Sequence, residues 1–231
     1  MLITGWTIKM SRNAVITTTI NIPTLLEEYI KNAKARGHKT FFVVVGDKKT
    51  PLEAMTYCLG LKNKYGAEIY FLDVAMQETY LDKFPELKKH IPYNCIMRRN
   101  VGILFAYEKD ADYIITIDDD NFFVSGDFIS SHEVGINKEI TIIASDTGWY
   151  NVCKHLEEEH GREFYHRGFP LEYRYLEEKV NSETKNVHVV INAGFWLGDP
   201  DIDALTRLYY SNRPINVTAY LRSENFALAV G

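Results

Sequence analysis

The densest concentration of chemistry in the sequence is Asp118, Asp119 and Asp120, which leave the apolar run Ile114-Ile115-Thr116-Ile117 together and are followed by Asn121. Three adjacent carboxylates repel one another, and a cation or strong hydrogen-bond donors would relieve that cost. Alternate residues of an extended chain share a face, so Asp118 and Asp120 can address one ion. A donor set made only of oxygen suits a hard cation, Mg²⁺ or Mn²⁺. Such an ion typically bridges phosphate oxygens and neutralises a departing diphosphate. A solvated acidic turn is the alternative for a bare D-x-D, but the third aspartate and the buried strand before it favour metal.

A second group is basic. Arg98, Arg99 and Asn100 lie about twenty residues before the acidic triplet, on the helix that leads into its strand. Met97, Val101 and Leu104 supply that helix with an apolar face, so at least one arginine must point elsewhere. Two readings fit: a solvated basic face, or a guanidinium directed at phosphate or at the acidic cluster. Asp199, Asp201 and Asp203 resemble a calcium loop, but Ala204 and Tyr210 stand where that loop needs Gly and Glu. The spacing instead predicts that Asp201 caps a helix through Leu205 and Leu208, with Asp203 in its first turn.

Other chemistries are excluded by what is missing. There is no glycine between Gly5 and Gly37, so the first strand–helix turn is neither a dinucleotide turn nor a P-loop. G-x-S-x-G and H-E-x-x-H are absent, and His155 and His160 do not share a helix face. Cys58, Cys95 and Cys153 form no C-x-x-C site or disulfide framework, which points to a reducing, cytoplasmic setting.

The elements that must position these residues follow from periodicity. Residues 14–20 are a short β-branched strand, and Thr24-Leu25-Leu26-Glu27 after Pro23 is a capping box. Leu25, Leu26, Tyr29, Ile30 and Ala33 form the helical stripe that Gly37 ends. Residues 40–45 are a second strand, and Thr50-Pro51-Leu52-Glu53 opens a helix that Gly66 closes. Residues 68–72 and 113–117 are further strands, with a helix over about 94–109 before the last. This alternation predicts an α/β fold with a mainly parallel sheet flanked by helices and right-handed crossovers. Ligands of such sheets bind at the carboxyl ends of the strands. Those ends are Thr17-Thr18-Thr19, Gly46-Asp47, Asp73 and the acidic triplet. From about Ser125 the pattern changes. Residues 140–144 and 187–191 read as strands, and the long aromatic and charged stretch between them reads as the substrate-binding part.

Composition agrees with one domain of 231 residues, 46% hydrophobic and 25% charged, large enough to bury a core. A balance of 26 basic against 31 acidic residues, −5 overall, leaves no basic stripe for nucleic acid. No run is long and apolar enough for a transmembrane segment, and residues 1–12 lack the pattern of a secretory signal.

Taken in order, Arg98-Arg99-Asn100-Val101-Gly102 and Tyr113 to Asp120 resemble the core of GT-A (Rossmann-like) glycosyltransferases. His166-Arg167-Gly168-Phe169-Pro170-Leu171 and Gly194-Phe195-Trp196-Leu197-Gly198-Asp199-Pro200-Asp201 resemble the reversibly glycosylated polypeptide family, which includes UDP-arabinopyranose mutases. The resemblance spans residues 14–210 and implies an enzyme acting at the anomeric carbon of a UDP- or GDP-linked sugar, by transfer or by mutase chemistry. It implies that Asp118 and Asp120 face Mn²⁺ or Mg²⁺ and the nucleotide. Thr17, Thr18, Thr19 and Asp47 would lie near base and ribose, with Arg98, Arg99, Asn100, Asn192, Gly194 and Trp196 as further nucleotide-sugar contacts. Arg167 and Asp119 are the catalytic candidates.

Arg167 matches the arginine that is reversibly glycosylated in the family. A guanidinium is a poor nucleophile, so a diphosphate clamp and a structural ion pair with one of the nearby glutamates stay open beside that role. Trp149, Tyr150, Tyr165, Phe169 and Trp196 are candidate sugar walls. Asn192-Ala193-Gly194 stands where plant members have Ser-His-Gly, removing an imidazole. The chain ends at Gly231, where family members continue, so a truncated or short relative with incomplete acceptor-side residues is expected. The expected organisation is one GT-A-like domain, with a nucleotide-binding half at about 14–124 and a sugar or acceptor half at about 125–231. A homo-oligomer is left open. A non-catalytic nucleotide-sugar scaffold is the alternative. A metal-dependent phosphohydrolase fits less well, because its D-x-D follows the first strand.

Overall fold

The structure is a computed structural model that describes residues 11–124, 126–174, 176–177, 179–221 and 226–228. The segment read for a leader lies outside the described residues up to residue 10, as does most of the tail from Ser223. The chain divides into two compact units, Met1–Glu133 and Val134–Gly231.

The first unit is built on four parallel strands in the order β3-β2-β1-β4: β1 Arg12–Thr19, β2 Lys39–Gly46, β3 Glu68–Leu72 and β4 Tyr113–Asp118. Helices α1 Leu26–Ala35 and α2 Leu52–Tyr65 make the crossovers to β2 and β3, and α5 Arg99–Glu108 returns the chain to β4. Strand order and right-handed crossover together place α1 and α2 on one face of the sheet and α5 on the other. Ala14, Ile16, Phe41, Val43 and Val45 form one buried layer with Val101 and Ala106 of α5. The alternate residues Val15, Phe42 and Val44 are equally buried and face the other layer, to which α1 brings Leu26, Tyr29, Ile30 and Ala33. This is a Rossmann-like arrangement, consistent with the expected GT-A fold.

Gly102 sets how closely α5 can lie on the sheet. A Cβ there would stand 2.7 Å from Ile16 Cγ2 and 2.8 Å from Val45 Cγ2. Gly102→Ala should therefore cost about 1–3 kcal/mol through overpacking, despite alanine's better helix propensity. Urea denaturation measures this, and an unchanged or raised midpoint would refute it.

Several local expectations are corrected. Thr24 does not cap α1, which begins at Leu26 after an uncapped Leu25; a turn from Pro23 O to Leu26 N delays the start. Thr50 does not cap α2, because its hydroxyl accepts from Asp47 N at 2.7 Å and donates to Thr19 O at 2.6 Å. Asp73 caps α3, Val74–Leu81, through Met76 N and is spent on that role. Met97 is half exposed, because it sits in a 3-10 turn before α5 and is out of phase with that helix. α3 and α4, Pro85–His90, were not expected from the patterning. A short helix, α6 Phe128–Ser131, completes the unit, with Asp127 as its cap and His38 Nε2 2.7 Å from the same carboxylate.

In the second unit β5, Ile136–Ser145, pairs antiparallel along its whole length with β7, Val180–Val189, and parallel with β9, Phe226–Leu228. β7 thus ends before Ile191 and starts seven residues earlier than expected at 187; its polar sequence suits a mostly exposed edge strand. β6, Leu156–Glu158, pairs with β8, Val217–Tyr220, over a small core of Cys153, Phe164, Ile202 and Ile215. Asp203, not Asp201, caps α7, Ala204–Tyr209, accepting from Leu205 N and Thr206 N; the helix starts two residues later than the spacing suggests.

Glu158 anchors this unit. Burial alone would raise its carboxyl, but Arg162 and the N–H groups of Arg162 and His160 outweigh burial and lower it from 4.5 to about 2. A depressed carboxylate stabilises the fold above its ordinary value and ceases to do so as pH falls through the folded one. Stability of this unit should therefore fall between about pH 4.5 and 2, and Glu158→Gln should flatten that slope. Acid titration followed by circular dichroism would decide it; an unchanged slope in the variant would assign the transition to other groups.

Candidate functional site

The strand register gathers the acidic and hydroxyl groups at one edge of the first unit's sheet. Thr18 lies opposite both Val45 and Asp118, and Thr19 lies opposite Gly46, immediately before Asp47. The Thr50 hydroxyl joins the ends of β1 and β2 by bridging Thr19 O and Asp47 N. Asp47 is nearly buried, and one of its carboxylate oxygens accepts from Lys48 N at 2.7 Å.

The acidic triplet is not a continuous extended segment. β4 ends at Asp118, and Asn121 N donates to Asp118 O at 3.3 Å, so Asp119 and Asp120 are the central residues of a turn. Strand alternation therefore does not set the direction of Asp120. Side chains hold the turn from three sides. Arg99 Nη2 donates to Asp118 Oδ1, Thr19 Oγ1 donates to Asp119 Oδ2, and Tyr29 Oη donates to Asn121 O at 2.7 Å. Thr17, Asp118 and Asp119 also line one small recess of about 10 Å³ with Tyr29 and Ile117.

The two arginines have different fates. Arg98 is 1% exposed. Its Nε donates to Gln77 Oε1 at 2.9 Å, and Gln77 Nε2 reaches Gly46 O and Leu72 O, both at 2.7 Å. The guanidinium lies 4.1 Å from the Tyr93 ring centroid, as does Lys48 Nζ, so two cations face one ring. Burial pushes Arg98 below its ordinary value, with Asp47 and Glu78 pulling it back up. Arg98 thus ties the ends of β2 and β3 together from inside, whereas Arg99 reaches the carboxylate edge. Asn100 is exposed at the start of α5.

Gln77 and Tyr93 support this edge and were not singled out in the sequence, while Thr50 was noted there only in a helix-opening motif and Gly102 only within the arginine motif. The one available cue was a glycine inside the arginine-bearing helix, since a conformationally costly residue there usually marks close packing.

Asp118 and Asp120 offer oxygen donors only, and among the described residues no three His, Cys, Asp or Glu side chains converge on one point. Such a donor set fits an ion completed by phosphate oxygens and water and does not fit a closed protein cage.

The other expected site residues lie in the second unit. Arg167 occupies the second position of a turn closed by Phe169 N to His166 O at 3.0 Å, with Gly168 at φ 95° in the third, where a type II turn requires a positive φ. Its side chain is 70% exposed and Nη2 lies 3.1 Å from Asp201 Oδ2, while Arg167 N donates to Asp201 O at 3.0 Å. The ion-pair partner of Arg167 is thus Asp201 and not one of the nearby glutamates, because the His166–Ile202 bridge brings the two motif segments together. Trp196 stacks on His166 at 5.1 Å; Asn192 is partly buried and Gly194 exposed.

Of the expected sugar walls, Tyr165 and Phe169 line a cavity of about 330 Å³. Trp149 packs behind it on Phe169 and Tyr173, whereas Tyr150 hydrogen-bonds to His155.

The fold and this edge define a Rossmann-like α/β domain with an acidic, threonine-rich carboxyl end. No protein-family model matches the chain. It is 26% identical over 165 residues to "Probable glycosyltransferase STELLO2" of Arabidopsis thaliana, a match that covers 65% of this chain and 20% of that protein. The match therefore extends over about a fifth of the length of the curated relative. Among the described residues no helix is long and apolar enough to cross a membrane.

Proposed function

We propose that the chain is a glycosyltransferase domain that takes its sugar from a UDP- or GDP-linked donor at the carboxyl edge of the first unit's sheet. The observation that carries this reading is the in-register convergence of Thr18, Thr19, Asp47 and Asp118 at that edge; the likeness to a probable glycosyltransferase supports it. Asp118 and Asp120 would hold Mn²⁺ or Mg²⁺, which when bound supplies positive charge to the departing diphosphate. Arg99 orients Asp118 and adds a second positive charge beside the leaving group. Asp119, tied to Thr19, fixes the turn from which both metal-facing carboxylates project. Asp47 and the threonine hydroxyls supply polar contacts for ribose and base. As the bond from C1 to the diphosphate oxygen breaks, its electron pair leaves with the diphosphate, whose growing negative charge Arg99 and the ion would balance, and a hydroxyl of the acceptor forms the new bond to C1 as it loses its proton.

The mutase form of this chemistry has one observation of its own: Arg167 is exposed, and its guanidinium is held at the surface 3.1 Å from Asp201 Oδ2.

The test is incubation with UDP- and GDP-sugars in the presence of Mn²⁺ or of chelator, following free nucleotide, sugar isomer and protein mass. Nucleotide release that requires an added acceptor indicates transfer. Isomer without net release, with a protein mass increment lost in Arg167→Ala, indicates the mutase form. Absence of any donor binding or turnover across the panel would refute the proposal, and turnover indifferent to chelator would remove the metal from it.

A further inference from the structure

The three-stranded sheet of the second unit runs β7-β5-β9, and among the described residues no strand pairs with the outer side of β7. A free strand edge is a row of unpaired N–H and C=O groups. Natural sheets blunt such an edge with proline, a bulge, a short strand or charge, lysine above all. β7 is ten residues long, contains neither proline nor glycine, and keeps an unbroken register with β5. Lys185, its one lysine, is neutralised by the carboxylate of Glu183, two residues away on the same face. Both side chains are more than half exposed.

The ladder to β5 fixes which backbone groups of β7 are free. Lys179 O accepts from Asp146 N at 3.1 Å, and Val189 O accepts from Gly135 N at 2.7 Å, so the odd-numbered residues turn their backbone toward β5. Bonded and non-bonded positions alternate in an antiparallel pair, so Ser182, Thr184 and Asn186 turn theirs outward.

These constraints select a second copy of the same strand as the occupant. Two copies related by a two-fold axis pair antiparallel, and the outward groups meet only when even-numbered residues face even-numbered ones. The axis must then pass through a residue of β7. An axis at Glu183 or Lys185 sets that charge against its own copy. One at Ser182 sets Lys185 against Lys179, and one at Asn186 sets Glu183 and Lys185 against Val189 and Val187. An axis at Thr184 sets Glu183 of each copy against Lys185 of the other. Those two pairs fall at non-hydrogen-bonded positions, where Cα atoms are about 4.5 Å apart and cross-strand side chains lie closest. Among central axes, the self-complementary one therefore also matches the free backbone groups.

We propose that β7 pairs with β7 of a second copy about a two-fold axis through Thr184, joining the two sheets into one of six strands, three from each copy. The proposal stands on the second unit alone and is independent of the function proposed above.

The experiment is equilibrium sedimentation of the full chain between about 1 and 100 μM, where an association of about −6 to −8 kcal/mol is read directly. The expected result is a reversible monomer–dimer equilibrium. Glu183→Lys and Lys185→Glu each turn two attractive contacts into two repulsive ones and should weaken the dimer by at least about tenfold. An equimolar mixture of these two variants should dimerise again as the mixed pair, because each supplies the charge that the other lacks. The double exchange, Glu183→Lys with Lys185→Glu, should dimerise as the parent does. Circular dichroism checks that each variant is folded, which the exposure of both side chains leads one to expect. A parent chain that stays monomeric throughout this range would leave the edge to a different partner and overturn the proposal. A dimer indifferent to both single reversals, or single variants that fail to recombine when mixed, would overturn it as well.

Discussion

Asp118→Asn should lower nucleotide release from the preferred UDP- or GDP-sugar by about 10²–10³ at saturating Mn²⁺, the scale on which loss of one preorganised charge contact is felt. The substitution keeps shape and removes charge. Asp118 is half exposed and its pairing with Arg99 is at the surface, so the ion pair itself contributes little to folding, about 0–1 kcal/mol. A large fall in turnover with an almost unchanged melting temperature is therefore the expected pattern. Asp120→Asn should act in the same direction, and Arg99→Ala less strongly, because the metal-facing carboxylate remains. Steady-state nucleotide release with a parallel thermal melt distinguishes the outcomes. If turnover of Asp118→Asn stays within a few-fold of the parent, the carboxylate edge is not the donor site.

Arg98→Ala should do the reverse and cost stability before it touches chemistry. Three losses coincide: Gln77 Oε1 is left without its buried donor, the Tyr93 ring loses one of its two cations, and a fully buried long side chain leaves a void. Together these are worth about 2–5 kcal/mol, the scale of a large buried side chain removed with one buried acceptor left unpaired. Arg98→Met should recover part of the loss by filling the void while still leaving the Gln77 oxygen unpaired. Urea denaturation of both variants gives the comparison. A loss below about 1 kcal/mol in Arg98→Ala would mean that water replaces the guanidinium and that the Gln77 bridge does not depend on it.

The first unit was legible because its strands are β-branched and short and its helices periodic. Residues 14–20 and 40–45 need no tertiary information to be strands, and the order of elements leaves few topologies once crossovers are right-handed. Positions decided by competition for hydrogen bonds were not legible. Thr24 and Thr50 both satisfy the pattern of a cap, yet one lies in a turn and the other joins two strand ends. A hydroxyl serves whichever unpaired N–H or C=O the fold brings nearest, and that neighbour can be thirty residues away. β7 was read short for a related reason, since an exposed edge strand needs backbone pairing but no apolar alternation.

What the amino-acid sequence determined alone is the inventory: three carboxylates after an apolar strand, two arginines on the preceding helix, and an α/β order that sends strand ends to one edge. Only the tertiary structure separated Arg98 from Arg99, sending one into the interior and the other to Asp118, because Arg98 ends the 3-10 turn before α5 while Arg99 begins α5, whose seating on the sheet is fixed at Gly102. It also turned the acidic triplet from an extended row into a turn held by Thr19, Tyr29 and Arg99, and it assembled a cavity lined by rings and charges from segments that show no common period. Local pattern reports the backbone's preference. Which polar groups meet is settled by packing, because an unpaired buried donor or acceptor costs more than any local preference supplies.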